Sequence, residues 1–251
     1  MTGVILRLDI DKPGDNNFPI NLVANCFFLT DNIIATVHYP VNKYKFHNER
    51  PIRYRQYVIL IDGHAIKVTE DDFFEFPEVD ITLIRLKKSY DIEVPILSDE
   101  IDQKEVVVHI DGFDTTIQPQ MKAGWENDRF IIHSYNLDRS HREKRGFVKD
   151  FKHLSNPPDD PNMQLKAAKT YILSFGGVTD GFRGSPVFAT KTNEVIGIIC
   201  TIGNRIKGNK VSEFYVISAV EIINCMEKAG LIEKSKKKST FMGRLRGLFY
   251  K

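Results

Sequence analysis

Cysteine is scarce in this chain, and long apolar runs are missing. Three cysteines, Cys26, Cys200 and Cys225, occur in 251 residues with no paired spacing. An odd, sparse set argues against a disulfide framework and favours a reducing compartment, so we predict a cytoplasmic protein. No window approaches the roughly 18 uncharged apolar residues of a membrane span. The N-terminus lacks a basic segment followed by a long apolar run, so no signal peptide is expected.

The residue spacings that metals and nucleotides require are also missing. The seven histidines show no spacing with cysteine or carboxylates that predicts zinc. No glycine-rich loop follows a strand and opens a helix, as a phosphate-binding loop would. We therefore predict no metal and no cofactor.

Charge is unevenly distributed along the chain. Of the 35 Lys and Arg residues, seven follow Glu233, where there is no acid, so the preceding residues carry a net charge of −5. An acidic body predicts no nucleic-acid partner. In residues 240–250 apolar side chains share one helical face with arginines beside it. The basic tail, residues 234–251, is therefore predicted to meet an anionic membrane surface or a partner protein, or else to be a solvated terminus.

Short β-rich runs separated by polar turns dominate the rest of the sequence. They are Val4–Leu8, Leu22–Leu29, Ile33–Thr36, Gln56–Ile61, Ala65–Thr69, Ile81–Leu86, Val106–His109, Phe130–Tyr135, Lys169–Leu173, Pro186–Ala189, Val195–Cys200 and Glu213–Val216. Helices do not alternate with them, which excludes a βαβ architecture and favours a sandwich or barrels.

One helix and one long loop complete the predicted elements. Ser218 and Glu221 form a capping-box pattern, followed by an apolar stripe that ends at Gly230. The charged stretch between Leu137 and Gln164 contains several prolines and is predicted to be a long surface loop.

Three segments occur in a suggestive order. In IIATVHYP, His38 ends an apolar strand; in EVDITLIRL, Asp80 opens one; TDGFRGSPVF is a glycine-rich turn that feeds another. Together they resemble the motifs of the trypsin-like serine peptidases, over most of the chain from Leu22 to the helix at Ser218. This resemblance implies an all-β fold of two antiparallel six-stranded β-barrels with a C-terminal helix. The implied units are residues 1–115, 116–217, 218–232 and the tail 233–251.

The resemblance also implies roles for individual residues. His38 stands where the family keeps its general base, and Asp80 where it keeps the residue that orients this base. Gly181 and the backbone N–H of residue 183 correspond to the oxyanion hole. Gly177 would lie near the floor of the specificity pocket, while Cys200 and Thr201 would line the edge that pairs with a bound peptide.

The pattern departs from the family at the nucleophile. The serine position, three residues before Pro186, holds Arg183. A guanidinium is not a nucleophile and does not lose its proton near neutral pH. The sequence therefore predicts an inactive peptidase homologue whose inter-barrel cleft binds a peptide or protein. The alternative is an active endopeptidase, either because the native chain has Ser at 183 or because Ser185 or Thr179 acts instead.

Overall fold

The computed structural model describes residues 2–10, 20–41, 54–61, 64–98, 107–115, 122–126, 129–134, 141–154, 168–176, 180–205 and 211–233. Their strands are β1 (Thr2–Ile10), β2 (Ile20–Phe28), β3 (Ile33–Val37), β4 (Tyr54–Ile61), β5 (His64–Val68), β6 (Phe73–Phe76), β7 (Ile81–Arg85), β8 (Val107–Phe113), β9 (Lys122–Glu126), β10 (Arg129–Ser134), β11 (His141–Leu154), β12 (Ala168–Gly176), β13 (Pro186–Ala189), β14 (Glu194–Arg205) and β15 (Val211–Ser218). Helix α1 spans Ala219–Lys228 and is followed by Gly230, whose φ is 67°.

The first seven strands form one antiparallel sheet in the order β5-β4-β1-β2-β3-β7-β6. The sheet curls on itself, because the rings of Tyr57 on β4 and Phe73 on β6, near its opposite edges, lie 5.3 Å apart. All five residues of β3, Ile-Ile-Ala-Thr-Val, are buried. This run of apolar and β-branched residues is typical of a strand covered on both faces.

Six of the remaining strands close into an antiparallel barrel in the order β11-β12-β15-β14-β13-β8, and β9 and β10 form a separate hairpin. The alternating buried and more exposed residues of β8 show the period of two expected of a barrel wall. The predicted all-β double-barrel class with a C-terminal helix is therefore confirmed. The first unit differs in having seven strands rather than six.

Three sequence predictions need correction. The segment expected to be a surface loop contains β11, which pairs with β8 through residues 141–147 and with β12 through residues 146–154. β8 belongs to the second barrel, whereas the predicted boundary at residue 115 assigned it to the first. The Ser218 side chain makes no capping hydrogen bond, and its buried hydroxyl has no hydrogen-bond partner among the described residues.

The two units share a continuous apolar core. It joins Phe27 and Leu83 of the first sheet to Val195 and Ile217 of the barrel and to Ile222 of α1. Polar contacts add to this junction, since the Thr2 hydroxyl donates to the Asp111 carbonyl over 3.0 Å. The three cysteines are buried free thiols. Within the described residues, no helix is both long enough and apolar enough to cross a membrane.

Candidate active site

His38 and Asp80 are brought together by two paired strands. β3 and β7 are antiparallel neighbours, and Val37 pairs with Ile81, so the residue after β3 lies beside the residue before β7. The backbone N–H of His38 donates to the carbonyl of Asp80 over 3.1 Å. Sequence order alone suggested this pair, and sheet register supplies the contact.

The Asp80 carboxyl group is buried at the junction of the two units, with 1% of the residue exposed. Its Oδ1 accepts from the backbone N–H of Tyr39 over 2.6 Å, and its Oδ2 accepts from the Cys200 thiol over 3.0 Å. Burial raises the pKa of Asp80 to about 7, although the hydrogen bonds from Cys200 and Tyr39 and the charge of Arg183 act in the opposite direction. Asp80 thus stays largely protonated well above the pH at which an exposed carboxyl ionises.

The His38 ring contacts two other residues of the first sheet. Its Nδ1 lies 3.3 Å from the Thr82 hydroxyl and 3.9 Å from a carboxylate oxygen of Glu75, and the residue is 8% exposed. The resemblance assigned Asp80 to this ring nitrogen, and that role stays a prediction. Glu75 is a second acid beside the imidazole that sequence reasoning missed, because β6 itself was not predicted.

The glycine-rich motif forms a tight turn, residues 180–185, which we call the 180–185 turn. It begins with a 3-10 helix, Asp180–Phe182, and the N–H of Ser185 donates to the Phe182 carbonyl over 3.0 Å. Gly184 has a φ of 84°, and a Cβ there would lie 2.1 Å from the Asn25 carbonyl oxygen. The left-handed φ of this turn therefore falls on Gly184, where only glycine fits both the backbone angle and the space.

Arg183 lies beside the His38–Asp80 pair. Its guanidinium carbon is 5.5 Å from the centroid of the Tyr39 ring, a cation–π contact. Its charge lowers the pKa of Asp80, against the larger effect of burial. Tyr39 therefore links the two, with its ring under Arg183 and its backbone N–H on Asp80. Residues 38 and 80 are therefore in direct contact, and residue 183 is joined to them through Tyr39.

The remaining predicted site residues differ in where the structure places them. Ser185 is fully buried, and Gly112 packs so closely on it that a Cβ there would lie 2.1 Å from the serine hydroxyl. This position does not suit an attacking hydroxyl. Gly177 and Thr179 lie outside the described residues. Thr201 pairs with Tyr215 between β14 and β15.

The Cys200 side chain is directed toward Asp80, while the predicted pairing of the Cys200 and Thr201 backbone with a bound peptide stays a prediction. Cys200 is 1% exposed, and its thiol donates to the Asp80 carboxyl group. The two residues are 120 positions apart in the sequence. Burial and the neighbouring Asp80 raise the pKa of its thiol well above the ordinary value. The thiol therefore acts as a hydrogen-bond donor to the carboxyl group, not as an ionised group.

Asn25 is a residue beside the predicted site that sequence reasoning missed altogether. It is fully buried in β2, and its side chain bonds backbone groups of Phe113, Gly181 and Arg183. The available signal was an amide inside the apolar run LVANCFF, because a buried polar group requires partners.

Within the described residues, no group of three or more potential metal-ligating side chains lies close together.

The curled sheet, the closed barrel and the junction that holds His38, Asp80 and the 180–185 turn define the fold of trypsin-like serine proteases. Solved structures share it. The active form of the Rv3671c protease from M. tuberculosis matches with a TM-score of 0.55 and 13% identity, over 91% of this chain and 81% of that one. The MamO protease domain from Magnetospirillum magneticum gives 0.53 and 13%, over 89% and 94%.

A third structure extends the comparison to a peptide-bound protein. The HtrA-type protease AlgW with a decapeptide gives a TM-score of 0.54 and 10% identity, over 91% of this chain and 65% of that one. No protein-family model and no curated protein sequence matches this chain. The comparisons therefore establish the fold of the chain.

Proposed function

We propose that this protein is a trypsin-like serine peptidase homologue without peptidase activity, whose inter-barrel cleft binds a peptide or protein. The observation that supports the proposal is that Arg183, which the resemblance assigns to the nucleophile position, is part of the 180–185 turn and holds its guanidinium over the Tyr39 ring. His38 and Asp80 keep the positions of base and orienting acid, but a guanidinium offers no proton for the base to remove near neutral pH.

The alternative, an active endopeptidase that uses a neighbouring hydroxyl, is disfavoured at Ser185. Its side chain is fully buried against Gly112, so a substrate carbonyl cannot reach within the roughly 3–3.5 Å that attack requires. The other form of this alternative, a native serine at position 183, makes the same prediction as the restored variant described next.

The test of the catalytic geometry is Arg183→Ser. If His38 is the base that the resemblance implies, it should activate a hydroxyl in this place, so we expect the variant to react with a fluorophosphonate probe, while the unmodified chain stays unlabelled. Mass spectrometry should map the label to residue 183. Arg183→Ala and Arg183→Ser combined with His38→Ala are the matched controls, and both should remain unlabelled.

Two outcomes would contradict the proposal. Labelling of the unmodified chain would show an active serine, and the labelled position would identify it. An Arg183→Ser variant that folds but does not react would show that the His38–Asp80 arrangement is not that of a disarmed catalytic site.

Peptide binding by the cleft is supported by the fold alone, since AlgW has been solved with a decapeptide and shares that fold. Peptides selected from a display library on the unmodified chain should compete with one another and lose affinity when Tyr39 or Arg183 is replaced by alanine. Peptides whose affinity is unchanged by both substitutions would place binding elsewhere.

We further propose a cytoplasmic protein whose basic tail, residues 234–251, contacts an anionic membrane surface or a partner. The seven basic residues without an acid support this proposal. Vesicles with about one-third phosphatidylserine should bind the full chain at low salt and should not bind a chain truncated after Glu233. Equal binding by both chains would exclude this role for the tail.

A further inference from the structure

Asn25 stands at the meeting point of three separate parts of the chain. It lies in β2 of the first sheet, and its side-chain partners lie at the end of β8 in the barrel and in the 180–185 turn. The residue is fully buried. Two glycines make the approach possible, since a Cβ at Gly112 would lie 3.3 Å from the Asn25 Oδ1 and one at Gly184 would lie 2.1 Å from its carbonyl oxygen.

Both polar atoms of the Asn25 side-chain amide form hydrogen bonds. Nδ2 donates to the carbonyls of Phe113 and Gly181, each over 2.9 Å, and more weakly to that of Arg183 over 3.3 Å. Oδ1 accepts from the N–H of Phe113 over 2.7 Å. The backbone N–H of Asn25 also donates to the Arg183 carbonyl over 2.8 Å. Such a set leaves little freedom for either partner segment.

Every carbonyl from Gly181 to Arg183 has a donor, and none of these donors is the side chain of residue 183. The Gly181 carbonyl accepts from Asn25 and from the N–H and hydroxyl of Thr115, over 3.1 and 3.0 Å. The Phe182 carbonyl accepts from Ser185, and that of Arg183 accepts from Asn25. The Phe182 carbonyl shares its peptide plane with the N–H of Arg183, one of the two groups that correspond to the oxyanion hole. The bonds to the Gly181 and Arg183 carbonyls fix the peptide planes on either side of it.

We infer that Asn25 is a positioning residue that holds the 180–185 turn in shape through the carbonyls of Gly181 and Arg183, whatever side chain stands at position 183. The inference rests on the proposed function only where it identifies this turn with the nucleophile loop of a peptidase. The bonds themselves are a property of the unmodified chain and can be tested on it.

The first measurement needs no substitution. In the isotope-labelled unmodified protein, the two Asn25 side-chain amide hydrogens should exchange with solvent much more slowly than those of Asn224, which is exposed on α1. A scalar coupling across the hydrogen bond should join the Asn25 side-chain nitrogen to the Gly181 carbonyl carbon. Exchange as fast as that of Asn224, with no such coupling, would overturn the inference.

The second measurement uses Asn25→Asp, which keeps the acceptor for Phe113 but lacks both donor hydrogens. We expect amide exchange at Ser185 and Thr115 to accelerate about tenfold, as loss of one ordinary hydrogen bond predicts. Exchange at Thr190, which bonds Val107 elsewhere in the barrel, should stay unchanged. Thr36→Val is the matched control, because it removes the Thr36 hydroxyl bond to the Asn25 carbonyl but no bond to the turn.

Three results would refute the positioning role. The first is that Ser185 and Thr115 keep their exchange rates in Asn25→Asp. The second is that all three amides, including Thr190, accelerate equally, as in general destabilisation. The third is that Thr36→Val reproduces the effect. If Asn25→Asp does not fold, the side-chain measurement on the unmodified protein decides the question.

The proposed function can fail separately from this inference. Adding Asn25→Asp to Arg183→Ser should slow fluorophosphonate labelling at residue 183. If Arg183→Ser alone is never labelled, the proposed catalytic ancestry fails, and the exchange data still decide whether Asn25 holds the turn.

Discussion

Asp80 has a left-handed backbone conformation, with φ 52° and ψ 40°, and its carboxyl group is buried. The backbone angle favours glycine, asparagine or aspartate, whereas the burial favours an uncharged side chain. Asparagine meets both demands, and its Oδ1 can still accept from Tyr39, whereas its Nδ2 cannot accept from the Cys200 thiol. Loss of the Cys200 bond costs the same at every pH between 4 and 7, so the pH dependence of the Asp80→Asn difference reports the ionisable proton.

The pH dependence of stability follows from the pKa of Asp80. Burial raises it from 3.8 to about 7, so between these values the folded protein keeps a proton that the unfolded chain has released. The stability that this proton contributes is complete below pH about 4 and is lost as pH rises to 7. We expect the Tm of the unmodified protein, relative to Asp80→Asn, to fall from pH 4 to pH 7 in differential scanning fluorimetry.

Asp91 is exposed and gives the control for this experiment. The Tm difference between the unmodified protein and Asp91→Asn should show no comparable fall. A difference for Asp80→Asn that stays constant with pH would mean that the buried carboxyl group is ionised throughout.

Gly184 and Gly230 form a natural pair for separating backbone strain from crowding. Both have a left-handed φ, 84° and 67°, but a Cβ at Gly230 meets nothing within 4 Å. Gly230→Ala should cost about 1 kcal/mol from backbone strain alone. Gly184→Ala should cost at least about 3 kcal/mol, because the methyl group also overlaps the Asn25 carbonyl. Urea denaturation measures both, and equal costs would contradict the close packing of the turn.

Among the secondary-structure elements, β11 departs most from the expectation of a loop. Arginines, lysines and histidines dominate HREKRGFVKDFKHL, so the strand lacks a clear alternation of apolar residues. Its pairing with both β8 and β12 nevertheless places it inside the barrel wall. Backbone hydrogen bonds on both edges can hold a strand whose side-chain pattern is weak, and no local sequence signal reports them.

Limited trypsin digestion distinguishes a barrel strand from a loop. The five basic cleavage sites between Arg142 and Lys152 should be cut only when the barrel opens. Lys87 and Lys88 are exposed in the irregular segment after β7 and should be cut before the β11 sites. Early fragments that begin within residues 143–153 would show that β11 is not paired in solution.

Sequence reasoning succeeded where a contact follows from chain order and failed where it depends on how two sheets meet. β3 and β7 were found from their apolar pattern, and their pairing places His38 beside Asp80. The bonds of Cys200 to Asp80 and of Asn25 to Gly181 join residues 120 and 156 positions apart. Their formation depends on the packing of the first sheet against the barrel, which no local pattern encodes.

At the scale of the whole molecule, the shared core predicts that both units unfold together. Buried side chains from the first sheet, the barrel and α1 belong to one cluster, and Asn25 and Thr2 add polar bonds across the junction. Differential scanning calorimetry should show one transition with equal calorimetric and van't Hoff enthalpies. Leu83→Ala, deep in the first sheet, should shift that transition without splitting it. Two separate transitions would show that the units fold independently.

Alkylation of the buried thiols can measure the fraction of molecules that have opened. Cys26, Cys200 and Cys225 are each at most 1% exposed, and burial raises the pKa of Cys225 to about 12. The thiolate is the nucleophile that attacks an alkylating reagent, so a closed molecule should stay unmodified and an opened one should be alkylated permanently. The chain can therefore be followed in a crowded mixture, without any added dye or engineered tag, by the mass that it gains.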